Sequence, residues 1–318
     1  MAKRRLSRQQ KRRIEANQQA HSESIEHARG LVVSHQGGQV LVELENGAST
    51  ECKIKSNLGV IVCGDRVSIE TTGQREHRVL AVLERDNLLQ RVDGFGQVRP
   101  IAANISQLVV CLAYSPPPNL FLLDQYLLSA EQQDIEACIL INKTDLAGGQ
   151  QDPFGIFAIY RPLGYRIVAT SVATGDGMEA FSELLRGEVS VLSGVSGVGK
   201  SSLTAWLLPG AAIKVASTSV ISEEGRHTTR ASRLYHLPGG GELIDTPGVR
   251  GFSPYIDNSV SLDSGFREIR RLAGHCRFHN CAHRNEPDCA VIDALDSGGV
   301  AESRYQSYLK MLEQERPG

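Results

Sequence analysis

The chain has 318 residues, 41% of them hydrophobic and 22% charged, with a net charge of −2; this is the make-up of a globular protein with room for two or three domains. No apolar run reaches the ~20 residues a membrane-spanning helix needs, and the first residues are too polar for a secretory signal. A helical membrane protein and a secreted disulfide scaffold are thereby disfavoured, and the expected compartment is the cytoplasm, where the seven cysteines stay reduced and a close cysteine cluster signals metal.

The first 20 residues carry Lys3, Arg4, Arg5, Arg8, Lys11, Arg12 and Arg13 against Glu15 alone, so the rest of the chain is acidic. Leu6, Ile14 and Ile25 are too few aliphatic residues to offset the entropy of ordering this segment. Residues 1–29 therefore read as a flexible basic arm with a nucleic-acid partner. From 30 to 91, short alternating runs such as "QVLVELENG" and "HRVLAVLER", broken by turn signals such as Asn46-Gly47, suit a small barrel of the oligonucleotide-binding type. "RVDGFGQVRPIAAN" reads as a linker over 92–104.

Between 105 and 252, apolar strand-like runs alternate with helical ones. "ISQLVVCLAY" precedes a helix over Leu120 to Gln132, "EACILIN" leads into "KTD", "YRIVATS" precedes a helix over Met178 to Leu185, and "EVSVLSG" leads into a glycine-rich loop. This alternation predicts a mostly parallel sheet covered by helices. Residues 253–318 lose the strands, turn largely helical and contain the cysteine cluster.

Gly194, Val195, Ser196, Gly197, Val198, Gly199, Lys200, Ser201 and Ser202 form a phosphate-loop sequence in the strand-to-helix context the motif requires. Its backbone N–H groups would converge on phosphate oxygens, Lys200 would reach the β- and γ-phosphates, and the Ser201 hydroxyl would hold Mg²⁺. "LIDTPG" places Asp245 for Mg²⁺ and the Gly248 N–H for the γ-phosphate. The tetrad Asn142, Lys143, Thr144, Asp145 selects the base, because the Asp145 carboxylate matches the N1–H and exocyclic amine of guanine, whereas adenine would leave it unpaired. Asn142 can bond the base and hold neighbouring loops, the Lys143 stem can cover the ring, and Ser171 falls near the guanine carbonyl. Thr228 and Thr229 are both available to complete the Mg²⁺ shell, with Thr229 slightly preferred. His227 beside them is equally readable as a water-positioning group or as an exposed loop histidine.

Cys276, Cys281 and Cys289 with one histidine can close a tetrahedral Zn²⁺ site with no open position, a site that holds a fold rather than performing chemistry. Spacing alone leaves His275, His279 and His283 in competition as the fourth ligand. Cys52, Cys63, Cys111 and Cys138 lie in apolar runs and read as small core residues.

The order guanine tetrad, "TS", phosphate loop, "GRHTT", "DTPG", together with "IAANISQLVVC" and "CRFHNCAHRNEPDCAV", resembles the circularly permuted GTPases, and within them the family that depends on the small ribosomal subunit. The resemblance runs from about residue 30 onward. It implies a multidomain protein with an N-terminal barrel of oligonucleotide-binding (OB) type, a circularly permuted α/β P-loop GTPase domain over 105–252 and a C-terminal helical zinc-binding module. It implies His283 as the fourth zinc ligand, GTP and GDP with Mg²⁺ as ligands, and His227 as a catalytic group beside Lys200 and Thr229. Val249 stands where Ras-like enzymes carry a water-orienting glutamine. The implied partner is the small ribosomal subunit with its rRNA, bound by a monomer in the GTP state and left on hydrolysis; the arm and barrel support RNA binding independently. Two rival readings are a P-loop ATPase or small-molecule kinase, and a zinc-dependent nucleic-acid-binding regulator whose nucleotide site is vestigial.

Overall fold

The computed structural model describes residues 26–36, 38–55, 58–72, 76–147, 155–209, 232–245, 253–257 and 259–314. They fall into two compact units that divide between Arg85 and Asp86. No helix among the described residues is long and apolar enough to cross a membrane.

The first unit is a five-stranded barrel of β1 (Glu26–Gln36), β2 (Gln39–Leu44), β3 (Ser49–Lys53), β4 (Arg66–Thr72) and β5 (Glu76–Val82). Its order β1-β2-β3-β5-β4 is closed by a β1–β4 pairing, and only β3 and β5 run parallel. This is the OB arrangement. Alternate residues turn inward, so Val32, Val40, Val42, Cys52, Val67, Ile69 and Val79 fill the interior. Arg85 closes the unit through the buried Asp65, with Nε 2.7 Å from Oδ1.

The second unit begins with β6 (Leu88–Val92) and β7 (Val98–Ala103), an antiparallel pair. Residues 92–104, expected to be a linker, are thus the turn and second strand of a hairpin. Asp93 orders the turn by accepting from the Phe95 and Gln97 N–H groups at 2.9 Å. Pro100 is tolerated because β7 is the edge of a three-stranded sheet, β14-β6-β7, whose other edge is β14 (Ser253–Pro254).

The main sheet of this unit contains β8 (Gln107–Ala113), β9 (Glu136–Asn142), β10 (Arg166–Ala169), β11 (Val189–Ser193), β12 (Ser232–His236) and β13 (Glu242–Asp245) in the order β10-β9-β8-β11-β13-β12. All neighbours are parallel except β12 and β13. Every residue of β8 is buried, which is why it reads as an unbroken apolar run rather than an alternating one. β11 follows β9 and β10 in the chain but pairs with β8; the strand before the tetrad, β9, thus precedes the strand before the phosphate loop, β11, which is the permuted order, and every strand of this sheet except β12 keeps a parallel neighbour.

Helices α1 (Leu120–Glu131), α2 (Met178–Leu185) and α3 (Lys200–Leu207) belong to this sheet. The Asn119 side chain caps α1 by accepting from Leu122 N–H at 3.1 Å. The C-terminal module, α4 (Arg267–Ala273), α5 (Ala290–Asp296) and α6 (Glu302–Gln314), is helical as expected, and its core also takes in a residue of α1. Leu128 of α1 lies in the same cluster as Leu262, Phe266, Ile269, Val291 and Tyr308, and Ser129 donates to the Tyr255 carbonyl at 2.6 Å. A helix of the sheet domain therefore serves as one wall of the module.

Candidate nucleotide and metal sites

The guanine tetrad follows β9 and the phosphate loop follows β11, both at carboxyl strand ends where open α/β sheets bind ligands. One side chain joins them. Asn142, 2% exposed, donates from Nδ2 to the Val198 carbonyl of the loop at 2.9 Å, while its Oδ1 accepts from the Thr170 hydroxyl at 3.2 Å. Thr170 also orders the tetrad, because its carbonyl accepts the Thr144 N–H at 3.1 Å. Lys143 adopts a left-handed backbone, φ 60°, and its ammonium donates to the Ser115 carbonyl at 2.8 Å.

Asp145 is exposed, and the buried Ser171 hydroxyl donates to its Oδ1 at 2.6 Å. Ser171, expected near the guanine carbonyl, orients the Asp145 carboxylate. Thr170 stood in the "TS" signature without a role assigned to it, and the Ser115 carbonyl was not singled out in the sequence, because a backbone oxygen before a proline run carries no motif.

In the phosphate loop, Gly194 and Gly199 have φ of +134° and +101°, a region side chains rarely adopt. A Cβ at Gly194 would collide with the Cys111 carbonyl, and one at Gly199 with the Asn142 amide nitrogen. Glycine at 199 is thus required by the strap to the tetrad as well as by the turn. Lys200 donates to the Gly194 and Val195 carbonyls at 2.6 and 2.8 Å, folded back over the loop it would lead into a phosphate. Ser196, Gly197, Ser201 and Ser202 form the exposed face, and Val198 is buried in the core beneath. Asp245 ends β13, next to β11 in the sheet, with its side chain exposed. His227, Thr228, Thr229, Gly248 and Val249, like residues 1–25 of the expected basic arm, lie outside the described residues, whereas residues 26–29, also expected in the arm, open strand β1.

Cys276, Cys281, His283 and Cys289 bring one ligand atom each to within 4.8 Å of one another, while His275 and His279 are exposed. Of the three histidines that spacing leaves in competition, the structure brings His283 to the cysteines. Cys276 Sγ is 3.9 Å from Cys289 Sγ, and His283 Nδ1 is 3.6 Å from Cys276 Sγ and 3.4 Å from Cys289 Sγ. A tetrahedron with metal–sulfur bonds of about 2.3 Å and metal–nitrogen bonds of about 2.0 Å has edges of about 3.8 and 3.5 Å, so the donor set fits zinc. The remaining cysteines behave as core residues, with burial pushing the thiol pKa up to about 11 for Cys52 and Cys138 and about 12 for Cys111.

The module is fastened to α1 by Arg304, whose side chain is 1% exposed. It forks onto Glu268 of α4 at 2.7 and 3.0 Å, reaches Asp124 of α1 at 2.7 Å, and lies over the Phe266 ring at 4.5 Å. Tyr160 donates to the same Asp124 oxygen at 2.8 Å. Burial raises the Asp124 pKa even beside this guanidinium.

These features have counterparts in known proteins. A family model for the RsgA GTPase matches residues 82–254. The chain is 41% identical over 288 residues to the small ribosomal subunit biogenesis GTPase RsgA of Pseudomonas fluorescens, covering 89% of this chain and 84% of that one. It is 42% identical to the protein of the same name from Azotobacter vinelandii, with the same coverage. The crystal structure of YjeQ from Thermotoga maritima superposes with a TM-score of 0.72 at 32% identity, over 91% of this chain and 99% of that one. YloQ, a circularly permuted GTPase, superposes with a TM-score of 0.71 at 26% identity, over 92% and 97%. The strap from tetrad to phosphate loop, the permuted strand order and the length of these matches lead to one conclusion: the chain belongs to the RsgA GTPase family.

Proposed function

We propose that the protein is a cytoplasmic GTPase that docks on the small ribosomal subunit with GTP bound, assists a late step of subunit maturation and leaves on hydrolysis. The observation carrying the nucleotide half is the Asn142–Val198 bond, which holds a guanine-reading tetrad and a phosphate loop on one rim of the sheet. The subunit half rests on the relatives, which are named small ribosomal subunit biogenesis GTPases. The basic arm and the barrel supply an rRNA-binding surface, and the protein acts as a monomer.

In this reading Lys200 exchanges the Gly194 and Val195 carbonyls for phosphate oxygens, and the loop N–H groups hold the phosphates. Ser201, Asp245 and Thr229, with Thr228 as its neighbour, hold Mg²⁺, which screens the phosphate charge when bound. The Gly248 N–H faces the γ-phosphate. His227 positions the attacking water, since the aliphatic side chain of Val249 cannot. Cys276, Cys281, His283 and Cys289 hold one structural zinc.

Asp145 argues against an ATPase or kinase, and the retention of Lys200, Ser201 and Asp245 argues against a vestigial site. Asp145→Asn removes the charge that two guanine N–H groups use, so GTP affinity is expected to fall roughly 100-fold and preference to move toward xanthine nucleotides. Nucleotide competition reads this directly. Unchanged discrimination between GTP and ATP would show that the tetrad does not read the base.

A further inference from the structure

His283 reaches the cysteine cluster with Nδ1, 3.4 Å from Cys289 Sγ, so its proton must sit on Nε2 if Nδ1 is to offer a lone pair to a metal. That nitrogen is buried and makes no formed hydrogen bond. It faces a carboxylate, with Asp263 Oδ2 3.4 Å away. A buried N–H left without an acceptor is destabilising, and the Asp263 carboxylate is the acceptor one short approach away.

Asp263 is built for this position. It stands in a turn whose backbone is set by Ser261, whose Oγ accepts the Asp263 N–H at 3.3 Å. Its other oxygen, Oδ1, accepts from the Tyr308 hydroxyl of α6 at 2.8 Å. The histidine is held from its other side, because Tyr305, also on α6, donates to the His283 carbonyl at 2.6 Å. Tyr308 stacks edge-on against Phe266 at 5.5 Å, and Arg304 lies one turn earlier on α6 with its guanidinium over the same Phe266 ring.

We propose that Asp263 is the outer carboxylate of the metal site: it takes the Nε2–H of His283, fixes the ring for ligation through Nδ1, and through Tyr308 ties metal occupancy to α6. Asp263 is a positioning residue and not a ligand. The role rests on the zinc reading above and adds a residue that none of the ligand spacing reveals. Metal-ligating histidines commonly depend on such a partner, and its loss typically weakens metal binding 10–100-fold. Because α6 is locked to α1 through Arg304 and Asp124, a well-seated metal also steadies a helix of the nucleotide domain.

The test uses the full-length zinc-loaded protein and measures zinc release to a chromophoric chelator. Asp263→Ala is expected to release zinc about 10–100-fold faster, Asp263→Asn to fall between it and the parent because an amide oxygen still accepts, and Tyr308→Phe to accelerate release by a smaller factor. Cobalt-substituted samples of all three should keep the absorption of a three-thiolate, one-imidazole site, because the ligands are untouched. Parent-like release from Asp263→Ala and Tyr308→Phe, with the cobalt spectrum intact, would overturn the positioning role alone. A parent protein that binds no zinc would overturn the metal reading and this role together. Should Asp263→Ala fail to fold, the Asp263→Asn and Tyr308→Phe release rates decide the matter on the same terms.

Discussion

Arg304→Met is expected to destabilise the second unit by about 3–5 kcal/mol, the size seen when one member of a buried ion cluster is removed. Asp124 and Glu268 would keep their buried carboxylates and lose the guanidinium that now bonds both. Burial already raises the Asp124 pKa, and removal of the cation raises it further. A carboxylate whose folded pKa lies above its unfolded value of about 4 holds an extra proton when folded, so its destabilising effect grows as pH rises through that window. Urea unfolding should show a smaller deficit near pH 5 than at pH 8. Adding Asp124→Asn and Glu268→Gln should restore most of the loss, because the desolvated charges leave with the cation. An Arg304→Met deficit below about 1 kcal/mol would mean that the cluster does not fasten α6 to α1.

Gly199→Ala is expected to weaken binding of GTP and GDP alike by roughly 10–100-fold, the equivalent of the ~1–3 kcal/mol of strain stored at such a backbone position. The added methyl meets the Asn142 amide, so either the loop leaves its left-handed turn or Asn142 lets go of Val198. Both outcomes separate base reading from phosphate holding. Equilibrium titration with a fluorescent guanine nucleotide measures the effect, and parent-like affinity would show that the strap is dispensable.

The parts of the nucleotide site were legible in the sequence because each motif is local and follows a strand whose apolar run announces it. "EACILIN" delivers Asn142 and "EVSVLSG" delivers Gly194 at strand ends. What joins the parts was not legible, because Asn142 and Val198 are 56 residues apart and nothing local to "TS" tells that the Thr170 hydroxyl bonds Asn142. The candidate metal ligands were visible as a cluster, but choosing among three histidines needed burial, and of the three only His283 turns inward. The hairpin at β6 and β7 was misread as a linker since Gly94, Gly96 and Pro100 all look like breakers; two of them make the turn, and an edge strand admits the third. The dependence of the C-terminal module on α1 was hidden for the same reason as the strap. Asp124 and Arg304 are 180 residues apart, and a helix with two partners shows one ordinary apolar pattern.

The central claim is that one protein couples guanine nucleotide state to association with the small ribosomal subunit. Co-sedimentation of the full-length protein with purified small subunits, with GDP or with a non-hydrolysable GTP analogue at matched salt, tests it most directly. A γ-phosphate can shift docking only by its different effect on the two states, and salt must be held fixed because a basic arm makes binding steeply salt-dependent. The account predicts that the analogue carries the protein into the subunit fraction while GDP leaves most of it free. Equal association with both nucleotides would contradict it.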